Sequence, residues 1–231
     1  MPPVRFVSLR YKSKKKKPPR CLYCLISREK WKKVIAAIEE RNQVPQVIDC
    51  CAACSQKVMQ HPTLLHYACY FEPPLSVVKF LMATYPRAVF LPNALNQFPL
   101  HILLRYGTFP EVVEYVLQKN TEAAGIQDAE ENSTLHLLFY DYVEKITRDN
   151  SDPVCFFYES ANTVHIIRML VRVAPNLAEV RDSRGFNALE CAIIESADYK
   201  VIHLLESIIT GRSYDTRSSW CCTRSPKVMP L

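Results

Sequence analysis

Glycine is nearly absent from this chain, with 4 among 231 residues. Folds with many tight hairpins place positive φ at their turns, and glycine adopts it most readily, so the composition disfavours a strand-rich architecture. Phosphate-cradling loops need glycine too, and neither a P-loop nor a dinucleotide-binding fingerprint occurs. No apolar stretch reaches the roughly 18 residues of a membrane-spanning helix. The basic N-terminus lacks the apolar segment of a secretory signal. What is present is a chain of 48% hydrophobic and 23% charged residues, ordinary for a globular protein, and 16 prolines that suit a punctuated helical one.

Acidic residues are missing from the first twenty positions, where Arg5, Arg10, Lys12, Lys14, Lys15, Lys16, Lys17 and Arg20 stand. These basic side chains outweigh the formal net charge of +6, so the remainder of the chain is close to neutral. Nucleic acid is therefore not expected as a partner beyond this basic tail. "KSKKKKPPR", residues 12–20, reads as a solvated tail, a nuclear signal or a weak patch for anionic lipid. The 10 cysteines sit partly inside apolar helical patterns. That usage points to a reducing compartment, cytoplasmic or nuclear, with the thiols mostly free.

A ruler of 35 residues runs through the middle of the chain, from His66 to His101 to His136. The pairs Val77/Val78 and Val112/Val113 keep that register, as do Leu81 and Val116 and then Ala88 and Ala123. The unit at His136 matches once 19 extra residues are allowed, with Ile166, Ile167, Leu170 and Pro175 in place. A fourth unit, "GFNALECAII", puts Glu190 where the histidine stood and brings Val201, Ile202 and Leu205 onto the ruler. Each unit holds a short apolar segment and a second one with apolar residues at i, i+1 and i+4, which predicts two helices per unit. Neither helix can bury its apolar face alone, so the units are expected to stack around a continuous core.

"TLLHYAC", "FPLHILLRYG" and "STLHLL" are similar to the T-P-L-H-x-A signature of ankyrin repeats. Gly107, six residues after His101, and the D-x-x-G turn of Asp182 to Gly185 also match that family. The "MATYPRAV" ending resembles the slightly long ankyrin repeats of diatom and oomycete proteins. The resemblance implies an all-α, ankyrin-type helical repeat solenoid of about four helix pairs plus an N-terminal capping helix at Trp31 to Glu40. The domains follow: a disordered basic tail over 1–30, the repeat domain over 31–210 and a disordered tail over 211–231. Units are placed near 63–97, 98–132, 133–186 and 187–210, with the insertion near 141–162. Only one unit keeps its D-x-x-G turn intact, so irregular turns are expected in the others.

The resemblance makes His66, His101 and His136, with Gly107 and Gly185, structural positions. It maps partner contacts four and five residues after each histidine and four before it. Those are Tyr70 and Phe71 with Pro62, Arg105 and Tyr106 with Gln97, Tyr140 and Asp141 with Asn132, and Ile194 and Glu195 with Phe186. No catalytic constellation is expected, because Cys69 one turn after His66 occupies a small packing position with no third orienting group. Cys21, Cys24, Cys51 and Cys54, with Cys50 and His61 nearby, have two readings: a zinc-stapled cap of paired thiolates, or small buried apolar thiols. The expectation is a monomeric, cofactor-free adaptor or scaffold that binds another protein. A zinc-stapled regulatory protein and an adaptor acylated at Cys221 or Cys222 are its alternatives.

Overall fold

The computed structural model describes residues 21–41, 63–107, 109–140 and 153–211, with only the backbone at 41 and 153–159. Among these residues there are ten α-helices and no strand. They are α1 (Leu22–Ile26), α2 (Trp31–Arg41), α3 (Leu64–Cys69), α4 (Leu75–Thr84), α5 (Pro99–Tyr106), α6 (Pro110–Lys119), α7 (Thr134–Phe139), α8 (Pro153–Val173), α9 (Ala188–Ile194) and α10 (Tyr199–Ile209). None is long and apolar enough to cross a membrane.

Successive helices pair, and the pairs lie side by side in two rows. One row runs α1, α3, α5, α7, α9 and the other α2, α4, α6, α8, α10, each helix against its neighbours in the row and its partner across it. The positions on the ruler form the seam between rows. Val77, Val78, Leu81, Val112, Val113, Val116, Ile166, Ile167, Leu170, Val201 and Leu205 are all buried. Each contributes roughly 1.5–3 kcal/mol by leaving water. A 3-10 turn follows α4, α6 and α8, at Pro86–Phe90, Glu122–Gly125 and Pro175–Ala178, and buries two small or aliphatic side chains each time.

Two expectations at the N-terminus need correction. The tail assigned to 1–30 contains α1, whose Leu22, Tyr23, Leu25 and Ile26 are buried. Tyr23 meets Tyr67 of α3 edge-on, with ring centroids 5.0 Å apart. The helix at Trp31 is accordingly the second member of an N-terminal pair rather than a lone cap. The insertion assigned to 141–162 is helical from Pro153, the start of the 21-residue α8. Proline suits that first position, because a first-turn N–H has no intrahelical acceptor.

The turns are not irregular. Asn93, Asp128 and Asp182 each use one side-chain oxygen to accept the N–H groups two and four residues ahead, at 2.8–3.0 Å. Their own N–H groups donate to the carbonyls of Gln97, Asn132 and Phe186. The fourth residue has positive φ in all three turns: Asn96 at 56°, Glu131 at 62° and Gly185 at 84°. The identity of the residue varies while the backbone conformation repeats.

Candidate functional site

The three ruler histidines are buried at the starts of α3, α5 and α7. His101 Nδ1 accepts the Phe98 N–H at 3.2 Å, and His136 Nδ1 accepts the Ser133 N–H at 3.1 Å. An Nδ1 that accepts leaves Nε2 carrying the proton. Nε2 of His101 donates to the Ile126 carbonyl and that of His136 to Phe186, both at 2.9 Å. In the first unit Thr63 Oγ1 lies 2.7 Å from His66 Nδ1, and Nε2 faces the Gln97 carbonyl at 3.3 Å. The rings of His101 and His136 thus cap their own helices, and all three rings face a carbonyl of a following loop. At the fourth unit Glu190 keeps the capping role alone, accepting the Asn187 N–H at 2.8 Å.

His136, Asp182 and Cys191 form a cluster whose ligand-type atoms all lie within 4.8 Å of one another. The geometry suits a metal poorly. Both nitrogens of His136 are engaged, and Arg184 fills the place a cation would take. Its guanidinium meets the Asp182 carboxylate at 2.8 Å and Cys191 Sγ at 3.7 Å. Burial alone would push the Asp182 carboxyl up, but the Phe186 N–H and Arg184 outweigh it and hold it below its ordinary value. Burial and the neighbouring Asp182 carboxylate raise the Cys191 thiol, against the opposing pull of Arg184, so it stays protonated. Cys69 is fully buried, and burial pushes its thiol up as well. The cluster was not visible in the sequence, where Asp182 stood out only as a turn residue.

Cys21 and Cys24 fall on and beside α1, half-buried against the core. Cys51 and Cys54, together with Cys50, His61, Pro62, Asp141, Cys221, Cys222 and the run at 12–20, lie outside the described residues.

Among the mapped contact residues the structure brings five together. Tyr70 and Tyr106 meet at 4.1 Å between centroids with their rings tilted by 45°, from the ends of α3 and α5. The Arg105 guanidinium lies 4.3 Å from the centroid of the Tyr140 ring and 5.9 Å from that of Tyr106. Phe71 joins through Tyr70 at 5.0 Å and Tyr67 at 5.2 Å, and carries the aromatic run down to the core. Tyr67 is the member that sequence reasoning missed, since its register marks it as buried. Tyr70 and Tyr140 remain exposed, at 39% and 45%, while Arg105 and Tyr106 are half-buried. Burial raises the Tyr106 hydroxyl, and Arg105 partly opposes the shift.

The other mapped residues serve elsewhere. Gln97 is 5% exposed, and its side chain bridges Asn93 and Asp128, so it is a fastener between adjacent loops rather than a contact surface. Asn132 closes its own turn on Asp128. Glu195 caps the end of α9 half-buried, one residue after the exposed Ile194, and Phe186 lies under Arg184. Family models give no match to this chain, and no curated protein matches its sequence.

Proposed function

We propose that the chain is a non-catalytic, ankyrin-type repeat protein that binds another protein through the face presented by the first helices of its pairs. The architectural part is supported by the ruler falling on successive helix pairs, with Leu-His segments on α3, α5 and α7 and the histidines bonded to following loops. One observation carries the function. Three successive first helices supply Tyr70, Arg105 with Tyr106, and Tyr140 at matched register, and these side chains meet on the surface. Tyrosine and arginine are the residue types that dominate binding hot spots: tyrosine buries a large area with few rotamers to freeze, and arginine adds a planar fork of donors. The absence of a catalytic role in this reading draws on the His136–Asp182–Cys191 cluster, whose polar atoms are engaged within the chain. Action as a monomer in the cytoplasm or nucleus, without a resident cofactor, belongs to the same proposal.

The test is proximity labelling in the native cell with the wild-type chain and the Arg105→Ala/Tyr106→Ala double variant. The variant is expected to melt within a few degrees of wild type and to lose the specifically labelled partner. Unfolding would make these side chains part of the core. An unchanged set of labelled proteins would place binding on another face.

A further inference from the structure

The chemistry of the partner follows from how Arg105 is held, and this step rests on the reading of the aromatic face as a binding surface. We propose that Arg105 anchors the single carboxylate of an otherwise apolar peptide segment of the partner, while Tyr70, Tyr106 and Tyr140 clasp the apolar residues beside it.

Arg105 stands in the last turn of α5, just before Gly107. Its contacts are with rings: Tyr140 at 4.3 Å and Tyr106 at 5.9 Å. Among the described residues no carboxylate pairs with it and no acceptor takes its N–H groups. Nearby arginines are treated otherwise, since Arg181 meets Glu190 at 3.2 Å and Arg184 meets Asp182 at 2.8 Å. Arg105 is half-buried as a residue, and its recorded contacts are with rings rather than with an anion. The Tyr140 ring 4.3 Å away holds the guanidinium by its face, and the donors of a guanidinium fork match a bidentate carboxylate.

Charge around the patch narrows the occupant. Glu72 follows the end of α3 and Glu195 caps the end of α9, so acidic residues stand at the C-terminal ends of the first helices on either side of α5 and α7. A long acidic tract would meet repulsion there, whereas one Asp or Glu beside apolar residues would not. A phosphate, with nearly two negative charges, wants more than one cation, and the patch offers Arg105 alone among the described residues. The aromatic surface supplies the remaining affinity through contact area.

A random peptide library displayed on phage and selected against the full chain tests this. The selected peptides are expected to share one Asp or Glu next to an aromatic or aliphatic residue. Against such a synthetic peptide, Arg105→Gln should bind about tenfold or more weakly, a hot-spot effect. Replacing the peptide's acidic residue with its amide should weaken wild-type binding equally, with little further loss when both changes are combined. Thermal melting of Arg105→Gln close to wild type guards against a folding effect. Peptides without a shared acidic residue, or equal binding by Arg105→Gln, overturn the carboxylate inference. The surface itself still stands in that case if Tyr70→Ala and Tyr106→Ala weaken the same peptides. A selection that enriches nothing, or peptides insensitive to all three substitutions, overturns both.

Discussion

Two of the ruler histidines, His101 and His136, cap their helices as neutral rings. Nδ1 of His101 and His136 accepts a backbone N–H, so a second proton there would set donor against donor inside the protein. Burial lowers both pKa values below the ordinary 6.5, and the carbonyls of Ile126 and Phe186 offset only part of that. The sign of the linkage is then fixed. Below about pH 6.5 the unfolded chain binds more protons than the folded one, so the stability these rings contribute is complete above that value. It is lost as the pH falls through the lower, folded values. Melting temperature followed by circular dichroism should be flat above this point and decline below it. The variants His101→Gln and His136→Gln should each show a shallower acid limb. His101→Ala removes two bonds and leaves the Ile126 carbonyl and Phe98 N–H to find other partners, which costs about 2–4 kcal/mol. A wild-type melting temperature that stays level through the acid range would show that these rings accept a second proton without strain.

At the scale of the element, the three turns separate what residue identity reveals from what conformation requires. Only Asp182 to Gly185 reads as D-x-x-G, yet Asn93 to Asn96 and Asp128 to Glu131 adopt the same bonds. An amide oxygen accepts as a carboxylate does, so Asn93 replaces aspartate without changing the turn. Positive φ is open to asparagine at small expense, and to glutamate at roughly 1 kcal/mol when the rest of the turn enforces it. The same tolerance appears after the first helices, where Glu72 at 46° and Ser196 at 54° stand in register with Gly107 at 88°. Gly185→Ala should therefore lower stability by about 1 kcal/mol, read from denaturant melts. Glu131→Gly should be neutral or stabilising, because strain relief is set against the greater freedom of glycine in the unfolded chain. A marked loss for Glu131→Gly would mean that the glutamate side chain, not the turn, holds this loop. Sequence pattern was a poor guide here because it scores side chains, and the constraint lies in the backbone. Gln97 differs for another reason: counting from His101 puts it beside the contact positions, but its side-chain amide reaches Asp128 in the next loop, a contact that spacing along the chain does not show.

Across the whole molecule, the seam was legible because burial imposes a period, and Val77, Val112, Ile166 and Val201 repeat it. Tyr70, Arg105, Tyr106 and Tyr140 were singled out only by counting from the histidines as the family resemblance suggests, and their mutual contacts were not legible. Helix α1 carried no such signal, since five residues are too few to show a period and a basic run precedes them. Its place in the row nevertheless gives it a definite role. Tyr23 and its neighbours cover the end of α3 that would otherwise meet water, much as α3 covers α5. Contacts run chiefly between adjacent pairs, so damage at one end should propagate weakly to the other. Tyr23→Ala empties a site that is 2% exposed and removes an edge-on ring contact with Tyr67, at an expected cost of about 3–5 kcal/mol. Hydrogen exchange should then show protection lost across α1 to α4, while α9 and α10 keep the protection they have in the wild-type chain. Deleting residues 1–30 should reproduce that pattern, because it removes the same cover. Uniform loss across all ten helices would instead mean that the pairs unfold as a single unit. Unchanged protection in α3 and α4 would mean that α1 adds nothing to the stability of its neighbours.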